Sequence, residues 1–80
     1  MLDFIVPCGS ADGSAKTFLY KVEGTDDHHA AGKEIYNMLV EEGFSVACVA
    51  YVHGDHTVEE LSAMKDIRTP GAVYEMMVWD

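Results

Sequence analysis

The residues best suited to chemistry are His53, Asp55 and His56, in the string His53-Gly54-Asp55-His56. Imidazole and carboxylate are both zinc ligands, and the string falls where a strand ends and a helix begins, a place where side chains can converge. On that reading the chain is a small metal-binding protein. His28-His29, at the start of an earlier helix, joins the set only if tertiary packing brings it near. The competing reading is structural: Asp55 or Thr57 caps the following helix and the histidines sit at the surface. The structural reading is preferred, so no metal and no cofactor is expected.

The same string resembles the later half of the metallo-β-lactamase-fold motif, His-x-His-x-Asp-His. It departs from it at Tyr51, where that motif has histidine, and 80 residues are too few for that two-sheet fold. Other catalytic patterns are incomplete. Gly9 to Lys16 is rich in glycine and serine but lacks the Gly-Lys-Ser/Thr ending of a phosphate loop, and it leads into a strand. Glu41-Glu42 and Glu59-Glu60 are adjacent pairs, which point to different sides of a helix and cannot share a proton-transfer task. Cys48 falls inside an apolar strand, where a thiol is a small hydrophobe with little thiolate character, and Cys8 is the more accessible of the two. No nucleophile–base pair is apparent, and the chain is read as a non-enzyme.

Charge is placed more informatively. There are fourteen acids against five bases, a formal net charge of −9, which argues against direct binding to nucleic acid or to an anionic membrane. On the first helix Asp27, Glu34 and Glu41 recur every seven residues and form one stripe down a flank. On the second, Glu59 and Asp66 share a flank with Glu60 beside them, and Asp26 adds to the field at the first helix's start. Such acids can simply form a solvated face. They also stand at spacings of roughly 6–10 Å, the scale of phosphates along a duplex.

These groups need a scaffold, and the periodicity supplies one. Leu2–Val6 reads as a strand ended by Pro7, and Lys16–Glu23 alternates with Phe18, Tyr20 and Val22 on one side. Between them Cys8–Ala15 is a turn-forming loop. Thr25-Asp26-Asp27 caps a helix that runs to Glu42 before Gly43, with Ala31, Gly32, Ile35 and Leu39 inward and Gly32 allowing a close approach to the sheet. Phe44–His53 reads as a central strand, with Phe44, Val46, Cys48, Ala50 and Val52 on one face and Ala47, Val49 and Tyr51 on the other. Thr57-x-x-Glu60 is a capping box for a second, shorter helix with Val58, Leu61, Met64 and Ile67 inward. Thr69-Pro70-Gly71 turns the chain into a last strand, Ala72–Trp79, with Ala72, Tyr74, Met76 and Val78 or their neighbours buried. The order β-β-α-β-α-β predicts a single α+β domain over residues 1–80: one mostly antiparallel four-stranded sheet against one long and one short helix.

In length, acidity and architecture, with Asp26, Asp27, Glu34, Glu41, Glu59 and Glu60 on helices against one sheet, the chain resembles the small phage-encoded anti-CRISPR proteins. Those of the DNA-mimic type occupy the DNA path of a type I Cascade complex. The resemblance implies a non-enzymatic inhibitor whose acidic surface binds a basic nucleic-acid-binding complex and blocks target DNA, working in a host bacterial cytoplasm. The alternatives are the metal-binding protein above and an antitoxin-like interaction module. Finally, the sheet side away from the first helix is expected to carry Val49, Tyr51, Val73, Met77 and Trp79 as an apolar patch, which a homodimer would close.

Overall fold

A computed structural model describes residues 1–64 and 73–79. The chain forms β1 (Leu2–Gly9), β2 (Ala15–Val22), α1 (His28–Glu41), β3 (Ser45–Val46), β4 (Val49–Val52), α2 (Val58–Ala63) and β5 (Tyr74–Met77). The strands make one antiparallel sheet in the order β2-β1-β4-β5, with β3 also paired to β1. This is the expected α+β class. The sheet lies between α1 on one face and α2 on the other.

Pro7 does not end the first strand. β1 continues to Gly9 and pairs with β2 along all eight residues. Proline is tolerated in this central position because the neighbouring strand bulges opposite it. Ile5 pairs with Ala50 and Cys8 with Val46, so the β4 and β3 registers differ by one residue, and the Pro7 carbonyl accepts from the Ala47 amide at 3.1 Å. A ladder with an extra residue at that point asks for no donor from Pro7.

The bulge also overturns the expected alternation of Phe44–His53. Because side chains alternate with period two, one inserted residue moves Phe44 and Val46 onto the same face as Val49 and Tyr51. That face packs on α1, with Leu2, Phe4, Val6 and Cys8 from β1, Met77 from β5, and Ala31, Ile35 and Leu39 from the helix. The opposite face holds Ile5, Ala50 and Val52 under Leu61 of α2, with Leu19, Met64 and Tyr74 at its margin. The cysteines exchange roles accordingly: Cys8 is buried in the larger cluster and Cys48 is half-buried at the bulge. Burial pushes both thiols up from their ordinary value, Cys8 with a further contribution from Cys48.

Helix ends follow the sequence closely. Asp27 caps α1, accepting from the Ala30 amide at 3.1 Å. At the other end Gly43 takes φ +96°, its amide reaching the Val40 carbonyl while Phe44 reaches Leu39. This doubled closure is a Schellman motif, and the positive φ is what requires glycine. Gly32 is needed for a different reason. A Cβ there would lie 2.8 Å from Met77 Cε and 3.3 Å from the Trp79 ring, so α1 rests directly on β5 and the residues after it. In α2 the Thr57–Glu60 capping box forms in both directions. Only Leu61 of its expected inward residues is fully buried; Met64 is half-buried, Val58 is exposed, and Ile67 lies outside the described residues. On β5, Met77 is the buried residue while Met76 is exposed, as is Val78 just beyond the strand.

The β1–β2 loop yields a measurable consequence. Asp12 Oδ1 accepts from the Ser10 hydroxyl, the Ser14 hydroxyl at 2.7 Å and the Ser14 amide at 3.0 Å. These bonds, the Ser10 one foremost, hold its carboxyl well below the usual aspartate range. Because the folded value is depressed, the group's stabilising contribution is present above the unfolded value of about 3.9 and lost as pH falls through the folded one. Carboxyl-detected NMR should therefore find Asp12 still ionised at pH 3, and Ser10→Ala should raise its midpoint. A midpoint at the free-peptide value would show that the loop does not form this cluster in solution.

Candidate functional site

Two surfaces collect the chemistry-bearing residues. The first lies along α1. Its buried residues Ala31, Gly32, Ile35 and Leu39 fix the face on the sheet, which leaves Asp27, Glu34 and Glu41 on one exposed flank, about 10.5 Å apart along the axis. Lys33 does not neutralise this stripe. Its Nζ sits 5.1 Å from the Tyr36 ring and 5.2 Å from the Trp79 ring, on the other side of the helix.

The acidic flank borders an apolar groove. α1 covers the β1–β4 part of the sheet and leaves a hollow of about 240 Å³ against β2, lined by Tyr20, Val22, Ala31, Glu34, Ile35 and Met38. Tyr20 is half-buried in it, and burial followed by the charge of Glu42 raises its hydroxyl above the ordinary tyrosine value. An anionic carboxylate at the groove's edge and another beside its tyrosine surround an apolar floor with negative charge.

The remaining acids have mixed roles. Asp26 is exposed, and Asp27 is committed to capping α1. Glu59 is exposed on α2. Glu60 faces solvent but accepts from the Thr57 amide at 3.0 Å, and those Thr57 bonds lower its carboxyl from the ordinary value. Asp66 lies outside the described residues.

The second surface is a histidine cluster at the start of α1. His28 stacks on Tyr51 with centroids 4.2 Å apart and planes 18° from parallel. Its Nε2 contacts Glu75 Oε2 on β5, and His29 Nε2 lies 3.6 Å from Glu75 Oε1. The His53 ring lies 4.8 Å from Tyr51 and 6.4 Å from His28. The packing that joins His28 and His29 to the β4 end therefore exists, but it gathers a different set from the one in the linear string.

His53, Asp55 and His56 themselves do not converge. His53 continues the Tyr51 face, whereas Asp55 and His56 turn to the opposite one. There Asp3, fully buried, accepts from Lys21 Nζ at 2.8 Å and from the His56 amide at 2.8 Å, with His56 Nδ1 at 3.3 Å. Lys21 Nζ also reaches the His56 carbonyl and lies 3.8 Å from Asp55 Oδ1. This network ties the turn after β4 to the β1–β2 ladder, a structural task that removes those two residues from the proposed metal set.

The expected dimer patch is likewise occupied. Val49 and Met77 are buried in the α1-facing cluster, with Tyr51 and Trp79 packed against it. Only Val73 of the five is exposed. The bulge is the cause, since it turns Val49 and Tyr51 toward the helix that they were expected to avoid. Compared with protein-family models, curated proteins and solved structures, the chain matches none. Among the described residues no helix is long and apolar enough to cross a membrane.

Sequence reasoning passed over two participants. Asp3, inside the strand read from Leu2 to Val6, was given no role in the site. Its pairing with Lys21 depends on β1 continuing past Pro7 to Gly9, which shortens the hairpin loop to five residues. Glu75 carried no local signal, because its partner His28 lies 47 positions away and His29 is the next residue.

Proposed function

We propose that the protein is a non-enzymatic inhibitor that docks its acidic α1 flank on a basic nucleic-acid-binding protein complex and denies nucleic acid that surface. The observation that carries this reading is the exposed pair Glu34 and Glu41 on one flank of α1, with Glu34 lining the apolar groove between α1 and β2. Carboxylates at this spacing compete for cations that otherwise hold phosphates, and they steer a basic partner at long range. The groove adds what charge alone lacks, a place for one apolar side chain of the partner to anchor. The narrower target, a CRISPR effector complex of the Cascade type in a bacterial cytoplasm, rests on the resemblance to small acidic anti-CRISPR proteins. No catalytic step is assigned.

The clean test uses Glu34→Lys/Glu41→Lys, since Asp27 and Glu60 also hold helix ends. Both positions are exposed, so thermal stability should change by about 0.5 kcal/mol or less. Target-DNA binding by a purified Cascade complex should be blocked by the native protein, and the variant should associate at least tenfold more slowly, with weaker salt dependence. Equal inhibition by both proteins would reject the acidic flank. Failure of the native protein to inhibit, with capture of a cognate toxin instead, would favour an antitoxin-like module.

A further inference from the structure

We propose that His28, His29 and Glu75 form a binding site for a divalent transition-metal ion of the zinc type. One donor atom from each residue lies within 4.8 Å of the others. A tetrahedral zinc site with bonds of about 2.0–2.1 Å has ligand–ligand edges of about 3.4 Å, so closing the set asks only for small side-chain rotations. Two imidazole nitrogens and one carboxylate oxygen are a borderline donor set, suited to zinc and unsuited to calcium or magnesium.

The surroundings favour such a site in three ways. Stacking on Tyr51 fixes the plane of His28 and leaves its Nε2 directed at Glu75, so this imidazole is oriented before an ion arrives. Glu75 is held in register by the pairing of β5 with β4, opposite Tyr51 itself. The net charge of −9 raises the local concentration of any divalent cation. The positive end of α1 opposes a cation, and Asp26 and Asp27, immediately upstream, offset it. Among the described residues three protein ligands are supplied, which leaves a fourth position for water.

The ion would join the start of α1 to the edge strand β5, two elements that also meet where Met77 lies over Gly32. Binding to the folded state alone must then raise the unfolding temperature. At zinc concentrations a hundredfold above the dissociation constant the rise should be of order 10 °C for a chain this small.

Zinc titration of the purified full chain, read by calorimetry and by thermal unfolding, tests the proposal. One zinc per chain is expected, with affinity falling at least tenfold in both His29→Ala and Glu75→Gln. His29 is 65% exposed, so its removal leaves folding intact and keeps the test decisive even if Glu75→Gln folds poorly. Asp55→Asn, which alters the linear His53-Gly54-Asp55-His56 string, should bind zinc like the native chain. No stoichiometric zinc, equal binding by all variants, or loss confined to Asp55→Asn would each overturn the assignment.

Discussion

Lys21→Met is expected to destabilise the fold by about 3 kcal/mol, far more than a one-quarter-exposed lysine normally would. The reason is its partner. Asp3 is completely buried, pairs with Lys21 across the β1–β2 ladder, and sits 2.8 Å from the Lys21 ammonium. Methionine keeps most of the aliphatic stem but leaves the carboxylate with only the His56 groups to answer it. An uncompensated buried charge of that kind is costly, whereas removing both charges together often is not. Asp3→Leu/Lys21→Met should therefore recover much of the loss. Urea unfolding of the two variants decides the matter: a double variant as unstable as the single would show that packing, not charge, makes the lysine matter.

Leu61→Ala should cost a similar amount, about 3 kcal/mol, within the range for a large aliphatic side chain removed from a closed site. Leu61 is fully buried against Ile5, Ala50 and Val52, and it is the buried residue of α2, a helix of six residues. A helix that short has no stability of its own. Its capping box fixes where it starts, and Leu61 fixes where it lies. Hydrogen exchange should accordingly quicken in α2 much more than in α1, while Val58→Ala, at an exposed position, leaves both unchanged. Uniform acceleration across both helices would mean that α2 does not open separately.

The features legible in the sequence were those set by near neighbours. Asp27, Gly43 and the Thr57–Glu60 box act over three to five residues, and each end of α1 and the start of α2 fell where those residues placed it. The inward set Ala31, Gly32, Ile35 and Leu39 was equally plain, since a helix's period fixes its own face. What was hidden depended on pairing between distant segments. Pro7 looked terminal because its tolerance comes from a bulge about forty residues later. Val49, Tyr51, Met77 and Trp79 were assigned to the wrong side of the sheet for the same reason. The acidic flank could be read from α1 alone, but the groove beside it required β2, and the histidine cluster required β5.

The bulge opposite Pro7 has a further consequence, for what the gene can lose. Substitutions along Phe44–Val52 act locally, each changing one contact on one face. Loss of a single codon at Ala47 or Cys48 acts on the ladder instead. It would put the two registers against β1 back in step, and Val46 and Val49, then two positions apart, would stay on one face. Phe44, Val46, Val49 and Tyr51 would all remain under α1, and the cost would fall on Pro7, which faces a regular ladder with no donor to give. Homologous chains that keep the fold but lack the extra residue should therefore carry a residue other than proline at position 7.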